Sequence, residues 1–139
     1  VAIRGGRLSS SKRSILIIED DSRISRLTRD YLHECFPGMR VEIAGSAAKA
    51  KAICQQFPPA LIIWDGVPNE RGTREEYASC IPEVLWRKVI PISVDETILE
   101  FAKQRGALEP VPKKVDMAHA WVKELAERVR VALSSKKKK

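Results

Sequence analysis

Apolar positions along this chain fall into two patterns, unbroken runs of about four residues and stripes spaced three or four residues apart. The runs Ile15-Leu16-Ile17-Ile18, Leu61-Ile62-Ile63-Trp64 and Val89-Ile90-Pro91-Ile92 contain no charge. Runs of that length and purity are what strands buried on both faces of a parallel sheet require. The run from Leu61 reads as the central strand, since Pro58-Pro59 precede it and Asp65-Gly66 close it. Val41-Glu42-Ile43 alternates instead and predicts a shorter, edge-like strand. A short fifth strand is expected at about Leu108 to Val111, leading to Lys113.

The stripes lie between the runs and predict helices. Ser22 is placed to cap a helix whose Ile24, Leu27, Tyr31, Leu32 and Cys35 share one face, with Pro37-Gly38 as its stop. Ser46 caps a second, on which Ala47, Ala50, Cys54 and Phe57 form a small-residue stripe ended by Pro58. Gly66 to Gly72 reads as a glycine-bounded loop, and Arg74 to Trp86 as a third helix that Pro82 kinks or divides. Glu96 to Arg105 predicts a fourth, with Ile98, Leu99 and Phe101 apolar, Asp95 as a cap and Gly106 as its stop. The last helix carries Met117, Trp121, Leu125 and Val129 at intervals of four.

Five alternations of strand and helix imply a parallel sheet with helices on both faces and right-handed crossovers. The carboxyl ends of all the strands then share one edge, the edge at which open α/β sheets bind ligands. That edge collects Glu19 and Asp20 from the first strand, Asp65 from the third, Ser93 from the fourth and Lys113 after the fifth. Taken alone, an aspartate before glycine reads equally well as a helix cap or an Asx turn. Trp64, by strand alternation, points away from Asp65 into the packing, and Trp86 and Trp121 read as packing residues too.

Composition narrows the class. The 139 residues suit one domain. No apolar run approaches a membrane span and no secretory pattern opens the chain, so a soluble, cytoplasmic protein without membrane insertion is expected. Residues 1–13 read as a flexible basic lead-in, 14–133 as the folded domain and 134–139 as a lysine-rich tail. The net charge of +7 belongs to these ends, because Arg4, Arg7, Lys12, Arg13 and Lys136 to Lys139 face no acid there. The body from Ile15 to Ser135 holds all 18 acidic residues and one basic residue fewer. Solvated tails are the simpler reading, and nucleic acid or another acidic partner bound through them the lesser one. Cys35, Cys54 and Cys80 have no CxxC spacing and read as buried thiols in a reducing compartment. His33 and His119 are lone residues on polar helix faces.

The collected edge has a definite chemistry. Converging carboxylates repel one another unless a cation sits among them. An oxygen-only ligand set suits a hard ion that keeps several waters, which points to Mg²⁺, and the lack of a histidine argues against zinc. With such an ion present, Asp65 can attack phosphorus, Lys113 can place a positive charge on a phosphoryl oxygen, and Ser93 can donate a hydrogen bond to another. No residue is an evident second acid or base for turnover of a small phosphate ester.

The pieces ILIIEDD, LIIWD, VIPIS and GALEPVPK, in this order and spacing, resemble the CheY-like receiver domain of two-component response regulators over about Ser14 to Val131. The resemblance implies a flavodoxin-like, five-stranded parallel sheet of order 2-1-3-4-5 with helices on both faces. It implies Mg²⁺ held by Glu19, Asp20 and Asp65, and Asp65 as acceptor of a phosphoryl group from a histidine kinase or histidine phosphotransfer protein. Ser93 would be the switch hydroxyl and Lys113 the phosphate-binding lysine. The chemistry of such a domain is at most its own phosphorylation and dephosphorylation. Signalling to a downstream protein would use the face of the fourth helix, fifth strand and last helix, and a weak dimer is possible.

Some positions depart from the receiver pattern. Receivers place a proline four and a glycine eight residues after the acceptor, whereas Pro68 and Gly72 lie three and seven after Asp65. The main-chain carbonyl contact to the metal falls nominally on Val67 in this shortened loop. Val94 replaces a small residue after the switch hydroxyl, and Pro110 occupies the aromatic switch position on the fifth strand. Lys114 stands where a cis-proline normally follows the lysine, so a trans bond is expected there, a non-proline cis bond costing about 2.5–4 kcal/mol. These departures support a second expectation, a degenerate receiver acting as a phosphorylation-independent protein-binding module.

Overall fold

The structure, a computed structural model, describes residues 13–65, 78–93, 95–112 and 120–135. Val67, Pro68, Gly72, Val94, Lys113, Lys114, Met117, His119 and the first four residues of the predicted third helix (74–77) lie outside them, as do the ends before Arg13 and after Ser135. In chain order the elements are β1 (Ser14–Ile18), α1 (Ser22–Cys35), β2 (Arg40–Ala44), α2 (Ala47–Gln56) and β3 (Leu61–Trp64). A 3₁₀ helix (Glu83–Lys88), β4 (Val89–Pro91), α3 (Glu96–Gln104) and α4 (Ala120–Ser135) follow. The strands form one parallel sheet in the order β2-β1-β3-β4.

The uncharged runs are central because both of their faces are covered. Leu16, Ile18, Ile62, Trp64 and Val89 pack with residues of α2, the 3₁₀ helix and α3. Ile15, Ile17, Leu61, Ile63 and Ile90 face the other way, against α1 and α4, whose Leu32, Trp121, Leu125 and Val129 are buried. β2, the alternating strand, pairs among the described residues with β1 alone and is mostly half-buried.

The expected fifth strand is reduced, among the described residues, to one parallel bridge between Ile92 and Val111. Leu108 N–H donates to Val89 O at 2.8 Å and Val111 N–H to Pro91 O at 2.9 Å. The reciprocal bond that a parallel ladder needs would come from the nitrogen of residue 91, and proline has no N–H to give. Pro110 and Pro112 flank Val111, whose N–H points to β4, so their nitrogens face the outer edge and take no donor from β4. The described order is therefore 2-1-3-4, with Val111 beside β4 where a fifth strand would lie.

Other expectations need correction. Asp21, not Ser22, caps α1; its carboxylate accepts from the backbone N–H groups of Arg23 (2.9 Å) and Ile24 (3.3 Å). Pro82 divides the predicted third helix, one of the two outcomes expected of it: helix ends at Ala78, and Pro82 precedes the separate 3₁₀ turn. Phe57 sits at the C-cap of α2 and is 53% exposed, so it does not continue the buried stripe of Ala50 and Cys54. Cys35, the last residue of α1, is exposed, whereas Cys54 and Cys80 are buried; all three are free thiols. Ser46 and Asp95 cap α2 and α3 as expected, and Gly106, at φ 91°, ends the turn after α3.

Candidate functional site

β1 and β3 are neighbours with Ile18 opposite Trp64, so the next residue on each, Glu19 and Asp65, emerges at the same edge. Backbone bonds hold both ends in place: Asp65 N–H donates to Ile18 O and Glu19 N–H to Ala44 O, each at 3.1 Å. One carboxylate oxygen from each of Glu19, Asp20 and Asp65 can be chosen so that all lie within 4.8 Å of one another. Glu19 is buried, Asp65 half-buried and Asp20 exposed, so the cluster grades from the interior to solvent. Asp21 N–H donates to Glu19 Oε2 at 3.2 Å, which fixes the buried carboxylate from below. Asp21 itself turns its side chain to the start of α1, so two of the three consecutive acids serve the cluster and the third serves the helix.

β4 brings Ser93 to the same edge. Ile92 N–H donates to Trp64 O at 2.9 Å, and Ser93 is the next residue. Its side chain is 8% exposed and its Oγ accepts the Asp95 N–H at 3.0 Å. Asp95 Oδ1 in turn accepts from Thr97 N–H (2.9 Å) and Thr97 Oγ1 (2.7 Å). The hydroxyl is thus tied to the first turn of α3, a link that the Ser-x-Asp spacing signals as a serine turn followed by a cap. Glu19, Asp20, Asp65 and Ser93 all lie at the predicted edge. Lys113 and Val67 fall outside the described residues.

The donor set is all oxygen and all anionic, one member desolvated. Such a set fits a hard divalent cation that retains water on its exposed side, the coordination habit of Mg²⁺. Trp64 points away from the cluster, fully buried, as alternation requires. Its ring meets Trp86 edge-on, with centroids 5.1 Å apart and planes at 83°, and lies 6.2 Å from Phe101 of α3. The Arg105 guanidinium covers Phe101 at 4.3 Å and Trp86 at 5.8 Å. The sequence marks these aromatics as core but not as one cluster, because the contact joins three elements far apart in the chain. The indole N–H groups of Trp64 and Trp121 are buried without a partner among the described residues.

No protein-family model matches the chain, and no curated protein matches it. Solved structures do. The response regulator domain of Thermotoga maritima CheB superposes with a TM-score of 0.68 at 20% identity, covering 88% of this chain and 97% of that one. A CheY-like response regulator receiver domain from Methanospirillum hungatei gives 0.65 at 24% identity, covering 92% and 98%. Thermotoga maritima TrrA, a response regulator solved in complex with Mg(2+)-BeF, gives 0.62 at 21% identity, covering 86% and 98%. The chain has the CheY-like receiver fold, with an acidic cluster at the carboxyl edge of its sheet.

Proposed function

We propose that this protein is a receiver that accepts a phosphoryl group on Asp65 from a phosphohistidine of a partner kinase or phosphotransfer protein. The observation that carries the reading is the convergence of Glu19, Asp20 and Asp65 within 4.8 Å at the ends of β1 and β3. An Asp65 oxygen attacks phosphorus, a P–O bond forms as the P–N bond breaks, and the departing imidazole nitrogen keeps the electron pair and takes up a proton. Glu19, Asp20 and Asp65, with the main-chain carbonyl of Val67, would hold Mg²⁺, which when bound neutralises charge on the transferring group. Because Ser93 Oγ accepts the Asp95 N–H, its own proton remains to donate to a phosphoryl oxygen. Lys113 supplies a point charge to another. Any movement of Ser93 toward the phosphoryl group would disturb the first turn of α3 through that same bond. In this reading the output face is α3 with the segment Ala107 to Pro110, which together line a cleft of about 430 Å³.

The test is incubation with acetyl phosphate and Mg²⁺, followed by intact mass. A phosphoryl adduct on the wild type that Asp65→Asn abolishes is the expected result. An adduct that persists on Asp65→Asn overturns the assignment. Absence of an adduct on the wild type favours the second reading, a phosphorylation-independent binding module. Pro110 and the single bridge at Val111 motivate that reading, since they replace the ring and the strand through which receivers relay the switch.

A further inference from the structure

β2 forms one lateral border of the described sheet, and its outer backbone groups are unused. Arg40 N–H donates inward to Arg13 O at 3.0 Å, and Ala44 O accepts the Glu19 N–H at 3.1 Å on the same inner side. Successive residues of a strand turn their N–H and C=O groups to opposite sides, so Val41 and Ile43 aim theirs outward. Among the described residues nothing bonds to these outward groups. The side chains separate by face. Met39, Val41 and Ile43 are half-buried and pack on the α1 side with the core of Ile15, Ile17 and Leu32. Arg40 and Glu42 lie on the other face, where their side chains pair at 3.1 Å and the Arg40 guanidinium stands 5.4 Å from the ring of Phe57. Charged side chains on a border strand ordinarily keep it from pairing with another chain. Here they come as one base and one acid two residues apart, so they cancel.

We propose that β2 pairs antiparallel with β2 of a second copy of this chain, joining the two sheets into one. The register that sets Val41 opposite Val41 of the partner subunit satisfies both faces. It places Arg40 opposite the partner's Glu42, and Glu42 opposite the partner's Arg40, in the pairs that exchange no backbone bonds and bring side chains closest. On the α1 face it sets Val41 against its own counterpart and Ile43 against the partner's Met39, apolar against apolar. Val41 exchanges both backbone bonds with that counterpart, and Ile43 N–H reaches the carbonyl of the partner's Met39. The Met39 N–H needs no partner there, since it already donates to Phe36 O at 3.0 Å. The neighbouring register that uses the same outward groups, centred on Glu42, sets two carboxylates against each other instead. An Arg-x-Glu border is thus complementary to its own reverse, which selects a second copy as the partner. Five residues a side is small beside the roughly 20–30 of a stable interface, so the dimer is weak and reversible. The proposal does not depend on phosphoryl transfer at Asp65.

The experiment is sedimentation velocity of the full chain from micromolar concentration up to about 1 mM, in reducing agent so that the exposed Cys35 links no two copies. A reversible equilibrium of monomer and dimer is expected. Arg40→Glu or Glu42→Arg alone sets like charges opposite each other at both contacts and should weaken the dimer about tenfold. The double exchange, Arg40→Glu with Glu42→Arg, should restore it, and so should mixing the two single variants; circular dichroism checks that each stays folded. Hydrogen exchange reads the register: the Val41 and Ile43 amides should slow as concentration rises, while the Arg40 amide, bonded within its own chain, should not respond. A monomer throughout the range overturns the proposal. So does a dimer that the single exchanges leave unchanged, because its contact then lies elsewhere. Weakening by the single exchanges without rescue by the double one overturns it as well, since the charges would then act only within the chain.

Discussion

Neutralising Asp65 should make the metal-free protein more stable and the Mg²⁺-loaded protein less stable than the wild type. Within 4.8 Å, two carboxylates repel by at least about 0.9 kcal/mol in bulk water and about 3.5 kcal/mol at an effective dielectric of 20. Asp20 is exposed and its pair with Asp65 belongs near the first figure; the pair with buried Glu19 lies between the two. Asp65→Asn removes both. Asp65 and Glu19 each have further interactions, part of which the substitution also forfeits, so the net gain expected is about 1 kcal/mol. For a domain of this size that raises the melting temperature by about 4 °C. With Mg²⁺ at a hundredfold excess over its dissociation constant the wild type gains about 2.7 kcal/mol, and the variant much less, so the order inverts. Urea melts of both proteins in EDTA and in Mg²⁺ read all four stabilities. A wild type already more stable than Asp65→Asn in EDTA, or an equal gain from Mg²⁺ in both, would refute the repulsive cluster and its cation.

Two further outcomes follow from particular contacts. Burial pushes the Cys80 thiol up to about 12, with neighbouring Cys54 adding to the shift, and burial raises Cys54 as well. Iodoacetamide near pH 8 should therefore label the exposed Cys35 alone in the native protein, and a second adduct in intact mass would contradict the packing. A thiol raised in the folded state keeps its full contribution to stability below its unfolded value of 9.0 and loses it as pH climbs toward about 12. Wild-type stability should accordingly fall more steeply above pH 9 than that of Cys80→Ala. At the start of α1, Asp21→Ala should cost about 1 kcal/mol in a urea melt and Ser22→Ala close to nothing, because the carboxylate of Asp21 holds the two free N–H groups. The opposite order would restore Ser22 as the cap.

The strands and their order of burial were legible because an uncharged run admits few alternatives. The three acids at two strand ends then followed from the parallel direction of β1 and β3, with no knowledge of contacts. The misreadings share a cause, which is that they turn on one residue's backbone geometry. Glu19-Asp20-Asp21-Ser22 offers four consecutive side chains able to cap, and only the path of the chain leaving β1 decides that Asp21 does. Phe57 fits the helical stripe by spacing, yet α2 ends one residue earlier and the ring swings out beside Arg40. The loss of the fifth strand needed two segments considered together, since the missing N–H of Pro91 matters only because Leu108 lies where it would be accepted. Cys35 shows the same limit at the end of α1.

Charge is the property that the linear sequence conveys least well. Counted along the chain, the excess of basic residues lies at the two ends, and acids and bases are nearly balanced and scattered through the body. A parallel α/β fold reverses that impression, because every strand starts at one edge and the helix after it returns there. Arg40, paired with Glu42, and Arg87 and Lys88 thus stand at the amino edge, while Glu19, Asp20 and Asp65 gather at the carboxyl edge. The carboxyl edge is consequently the acidic end of the sheet. In the proposed receiver, an anionic phosphoryl donor would meet that acidic field at Asp65, and a bound divalent cation would offset it.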